Sequence, residues 1–165
     1  MIKDKKSRTL LDGEYAALAE FRYQLRRFLR HMEDEVRELG VNPQQYQVLL
    51  AIKGLPADQV PTISRIAERM QLNHNSTVEL VDRCEERGLL KRARSGSDRR
   101  QVTLMIAGEG DALLRRLGSA ARQELRSIGP MLVDSVVRLT EENSGKHAAR
   151  NGPKRPAAAS KKAGT

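Results

Sequence analysis

Two clusters of side chains in this sequence could do chemistry. The first is His74, Asn75, Ser76 and Thr77, followed by Glu79 and Arg83 at helical spacing. The second is Arg92, Arg94, Ser97, Asp98, Arg99 and Arg100, a group of guanidiniums around a turn that contains Gly96. The chemistry open to the first is hydrogen bonding to base edges and phosphates. Asn75 suits adenine, Ser76 and Thr77 a phosphate or a thymine methyl, Arg83 a phosphate or guanine, and Glu79 a cytosine amine or plain solvent. The second suits phosphate and minor-groove contact. Plainer readings exist for both. Charged turn tips are commonly solvated surface, and polar residues opening a helix often only cap it, as expected for Asn73.

The elements around these clusters bear on the choice. Residues 62–106 read as a short helix, a tight turn, a second helix and a two-stranded ribbon. The first helix carries Ile63, Ile66, Ala67 and Met70 on one side, at spacings of three and four. The turn runs through Gln71, Leu72 and Asn73. The second helix is expected to bury Val78, Val81 and Cys84 and to stop at Gly88, leaving His74, Asn75, Ser76, Glu79 and Arg83 outside. The period then switches to two. Residues 89–94 and 101–106 read as strands, with Val102, Leu104 and Ile106 on one face, and residues 95–100 join them. Val60, before Pro61, could add a short third strand. Two helices meeting steeply, the second opening on small polar residues, are what insertion into a major groove requires. That context moves the arginines from solvated turn towards contact with double-stranded DNA.

The rest of the chain is read as helical support. Leu18, Phe21, Leu25, Phe28, Met32, Val36 and Leu39 make a near-heptad stripe over residues 14–39. Asn42-Pro43-Gln44-Gln45 opens the next helix, with Asn42 as cap, Pro43 in the first turn and Gln45 reaching back. Residues 110–128 read as a helix that Gly129-Pro130 interrupts, because proline lacks an N–H and clashes with the preceding turn; a last helix with Met131, Leu132, Val136 and Leu139 follows. These stripes exceed what a small helix-turn-helix core can cover, and packing against a second copy would bury them. Three parts result: a flexible N-terminus at 1–13, a folded domain at 14–142 and a basic tail at 143–165 whose composition does not support a packed core.

Charge and composition narrow the class. The net charge is +9 over 165 residues, with a pI of about 10.1. Lys146, Arg150, Lys154, Arg155, Lys161 and Lys162 supply most of that excess, with no acid beside them after Glu142. Such a balance favours a polyanion partner through counterion release. One cysteine excludes an intrachain disulfide. The start of the chain lacks a signal-peptide core and the longest apolar run is too short to span a membrane, so a cytoplasmic setting is expected. His31, His74 and His147 sit at no metal-ligand spacing. No catalytic triad, phosphate loop or paired acid motif is present, so neither an enzyme nor a cofactor is expected. Cys84 reads as a buried filler rather than a redox switch.

The sequence resembles the MarR-type winged helix-turn-helix regulators. Thr77, Val78, Val81, Asp82, Arg83, Glu85, Arg87, Gly88 and Leu89 match that family's recognition-helix pattern, with Cys84 where Leu is usual. Asp98, Arg100, Leu104 and Gly110 match its wing and the helix after it, with Ile106 and Ala107 where Leu and Thr are usual. The resemblance covers about residues 14–142. It implies a mainly α fold with a small β-wing, N- and C-terminal dimerisation helices, and a homodimer on a palindromic operator. It also implies that Arg100 enters the minor groove with Asp98 holding it. A repressor released by a small aromatic or phenolic effector is the corresponding function, with Arg22, Arg26, Arg27, His31 and Tyr46 in the segments that would line the effector pocket. An architectural, nucleoid-type protein acting by charge and shape is the alternative that the basic tail permits.

Overall fold

The computed structural model describes residues 10–94 and 102–141, in the order α1 (Asp12–Glu38), α2 (Pro43–Lys53), α3 (Ile63–Met70), α4 (His74–Glu86), β1 (Leu90–Arg94), β2 (Val102–Ile106) and α5 (Gly108–Thr140). The fold is mainly α with one two-stranded antiparallel sheet among the described residues. Residues 1–9 of the expected N-terminal segment, and the whole tail at 143–165, lie outside the described residues.

The helix starts follow the capping chemistry. Asn42 Oδ1 accepts from the Gln44 N–H at 2.8 Å while Gln45 Oε1 accepts from the Asn42 N–H at 3.2 Å. Thr62 caps α3 through the Arg65 N–H, and Asn73 caps α4 through the Ser76 N–H. The ends of α1, α3 and α4 share one device. A residue just past the helix turns left-handed, and the next N–H reaches five residues back: Val41 to Val36, Leu72 to Ala67, Leu89 to Cys84. Glycine fills that position after α1 and α4, at Gly40 and Gly88. After α3 it is Gln71, at φ 55°, so this tight turn carries about 1 kcal/mol of backbone strain that glycine would not.

One core runs through α2, α3, α4, the sheet and the first half of α5. Val48 and Leu49 of α2 join Ile66, Val81, Leu90, Leu104 and Leu117 there, all essentially without solvent contact. Along its far half α5 packs antiparallel on α1, where Gln24 Nε2 donates to Met131 Sδ at 3.5 Å and Arg27 pairs with Glu124 at 3.4 Å.

Two expectations are corrected. Gly129-Pro130 does not divide the C-terminal segment: α5 is one helix with Pro130 inside it. Proline removes a single backbone bond there, and side chains on both sides of it, Ile128 and Ser135, are buried in the described fold. The tertiary contact of α1 with α5 outweighs the local penalty. Nor does Val60 form a strand. The Pro61 carbonyl instead accepts one hydrogen bond from the Leu104 N–H at 2.8 Å.

Candidate nucleic-acid interface

The geometry of α3 and α4 leaves the first turns of α4 outside. His74, Asn75 and Glu79 are exposed and Ser76 is half-buried. Arg83 is exposed as well, and its guanidinium lies 3.6 Å from the Glu79 carboxylate one turn earlier. These five side chains share the outward side of the helix, as the sequence predicts. Thr77 does not join them. It is fully buried, and its hydroxyl donates to the Asn73 carbonyl at 3.0 Å, which tightens the cap. The inner face also differs from expectation: Leu80, Val81 and Cys84 are buried, while Val78 is only half-buried. Leu80 falls one turn after Thr77 on that face, a signal that the spacing of the sequence does contain.

Arg92 is tied to the helix before it. On β1 it turns back on α4 rather than outward. Its guanidinium pairs with Asp82 at 2.6 Å and with Glu85, and its backbone N–H donates to the second oxygen of Glu85 at 2.9 Å. Those hydrogen bonds, the backbone one first, hold the Glu85 carboxyl below its ordinary range. Arg92 sits opposite Leu104 in the sheet register. The outward N–H of Leu104 goes to Pro61, and the outward N–H of Arg92 goes to Glu85. The base of the ribbon is therefore clamped on both edges by the helix-turn-helix. Sequence reasoning misses Asp82 and Glu85 as a brace, because their partner lies on the next element, beyond helical spacing.

Arg94 closes the sheet opposite Val102. Ser97, Asp98, Arg99 and Arg100 lie within 95–101, outside the described residues.

Cys84 is wholly buried, and burial pushes its thiol up to about 12, with Arg87 opposing the shift. Among the described residues no group of three or more His, Cys, Asp or Glu side chains could hold a metal ion. No described helix is long and apolar enough to cross a membrane. The effector candidates are not brought together. Tyr46 is in the core, where burial raises its hydroxyl pKa, and His31 is half-buried. Arg26 and Arg27 line an open groove of about 750 Å³ along the outside of α1 that includes neither Tyr46, His31 nor Arg22.

A helix-turn-helix whose second helix presents a polar face, followed by a braced β-ribbon and flanked by long helices, is a winged helix-turn-helix protein. Residues 39–101 match the sequence model of the MarR family. The chain is similar to that family over this stretch. It is 34% identical over 80 residues to the HTH-type transcriptional repressor MdtR of Bacillus subtilis, covering 48% of this chain and 50% of that protein. It is 26% identical over 88 residues to the HTH-type transcriptional regulator PecS of Dickeya dadantii, covering 53% of each. The chain thus spans about half the length of these curated relatives. Among solved structures, a MarR family protein from Bacillus stearothermophilus superposes with a TM-score of 0.61 at 19% identity, over 73% of this chain and 82% of the other. An S. aureus MepR mutant bound to an oligodeoxyribonucleotide superposes with a TM-score of 0.58 at 18% identity, over 70% and 82%. These two likenesses show the shared fold.

Proposed function

We propose that the chain is a cytoplasmic, homodimeric, sequence-specific DNA-binding transcription regulator that acts as a repressor and is released by a small aromatic or phenolic acid. The observation that carries the DNA-binding reading is the exposed face of His74, Asn75, Ser76, Glu79 and Arg83 beside a ribbon clamped to the same helix. Such a unit can offer one element to a major groove and another to the adjacent minor groove. The MepR mutant, which shares this fold, is bound to an oligodeoxyribonucleotide, and the relative MdtR is named a repressor. Dimerisation is supported by the unpartnered apolar side chains Leu25, Leu125, Val133 and Val136 on α1 and α5, each at least 39% exposed in the single chain. Two-fold pairing there would set two α4 helices on one side and call for a palindromic site. The effector rests on the family resemblance. In this reading Arg99 and Arg100 make the wing contacts, and the basic segment 143–165 adds affinity for any duplex.

The test begins with selecting preferred sites from random duplexes, then titrating the chosen site against mixed-sequence DNA. Asn75→Ala should lower affinity for the chosen site by about 5- to 150-fold, the range for one lost base contact, with little change on mixed DNA. Removing 143–165 should flatten the salt dependence on both. Equal affinity for chosen and mixed duplexes would favour the architectural alternative and refute sequence-specific regulation.

A further inference from the structure

The outer side of α1 has a charge pattern that DNA binding leaves unexplained. Tyr23, Arg26, Arg27, Arg30, Glu33, Asp34 and Arg37 fall on one stripe and line the groove of about 750 Å³. Arg27 is tied to Glu124, and Arg37 to Glu33 and Asp34. The structure gives Arg26 and Arg30 no acidic partner among the described residues, although they lie one turn apart, where like charges repel. The stripe is also distinct from the apolar face assigned above to dimerisation: at 3.6 residues per turn, Arg30 projects about 140° round the helix from Leu25. Gln24, about 100° from Leu25 in the opposite sense, faces α5.

The order of residues along this stripe is self-complementary. If two copies of α1 cross antiparallel about a two-fold axis at Arg30, positions equally far from Arg30 meet. Arg26 of one copy then faces Asp34 of the other, Arg27 faces Glu33, and the Tyr23 ring faces the Arg37 guanidinium. Symmetry makes each of these contacts twice. The single like-charge contact is Arg30 with its counterpart. A parallel crossing would instead set each cation against itself. We propose that this charged face of α1 is a second self-association surface, which joins copies of the chain through their acidic and basic stripes and links one dimer to the next. The link between dimers rests on the dimer reading above; the pairing of stripes does not need it. Exposed ion pairs each contribute little and are screened by salt. The contact is therefore weak and is lost at high ionic strength, whereas apolar association is not.

Sedimentation velocity on the full chain tests this. The expected result is a mass that rises about twofold on passing from about 500 mM to about 50 mM salt, as the screening length lengthens. Arg26→Asp sets like charges at Asp34 and should abolish the rise. Adding Asp34→Arg to it restores unlike pairs and should bring the rise back. Arg26 and Asp34 are both exposed, and an unchanged melting temperature shows that each variant folds. A mass that does not depend on salt, or a double variant that fails to recover, overturns the proposal. So does a chain that stays at its high-salt mass yet binds poly-glutamate, which would assign the stripe to a foreign acidic partner. A single-chain mass at high salt would refute the apolar dimer while leaving the salt-dependent doubling to be read by itself.

Discussion

Replacing Gly110 with alanine should damage the joint between the wing and α5. A Cβ at that position would lie 2.1 Å from the Leu89 carbonyl oxygen, 3.0 Å from the Leu89 carbonyl carbon and 3.1 Å from Ile106 Cγ2. A relaxed carbon–oxygen contact is about 3.3 Å, so the start of α5 would have to retreat from β1 by about 1 Å. The retreat would also stretch the bond from the Ala107 N–H to that same Leu89 carbonyl, now 3.0 Å long. Overpacking of this kind costs about 1–3 kcal/mol and the hydrogen bond about 1 kcal/mol. Alanine returns about 1 kcal/mol of helix propensity. The net loss is about 1–3 kcal/mol, or a fall of roughly 3–12 °C in melting temperature for a domain of this size. Thermal unfolding followed by circular dichroism at fixed protein concentration reads it directly. An alanine variant that melts at or above the parent temperature would show that helix propensity dominates and that the close approach of α5 to β1 does not exist.

Two further outcomes follow from the titrating groups. With its thiol pushed up to about 12, Cys84 should react with a thiol reagent at pH 8 about a thousandfold more slowly in the native protein than after denaturation; equal rates would mean that the α4 inner face is open. The Glu85 carboxyl is depressed on folding, so its stabilising contribution is present above the unfolded-chain value and is lost as pH falls through the folded value. The wild-type protein should therefore lose more stability between about pH 5 and pH 3 than Glu85→Gln does, measured by urea unfolding at each pH. Parallel losses would place the acid sensitivity elsewhere.

Much of the fold was legible because its local signals and its tertiary needs agree. Asn42, Thr62 and Asn73 sit where caps are needed, Gly40 and Gly88 where the chain turns left-handed, and the change of period at Leu89 marks the ribbon. The failures have one physical origin, contacts between elements distant in sequence. Pro130 reads as a breaker only while the packing of α5 on α1 is left out. Arg92 reads as an outward-facing arginine only while Asp82 and Glu85, on the preceding helix, are out of view. Thr77 reads as exposed because serine and asparagine beside it are polar, yet its position one turn before Leu80 and Val81 puts it inside. The pattern that links Asp82, Arg83 and Glu85 to the family is thus partly a brace and partly an exposed face. Gly110, matched as a family residue, is explained by the carbonyl it lets approach.

The continuity of α5 has a mechanical corollary. Its 33 residues make a rod about 50 Å long. One residue, Ala107, separates that rod from β2, and β2 is hydrogen-bonded to β1, which is braced to α4. The hairpin thus sits at the short end of a lever whose long arm lies against α1. A swing of about 5° in that arm displaces its far end by roughly 4 Å. By the same gearing, sideways movement at the seam of Gln24 and Met131 reaches the ribbon much reduced.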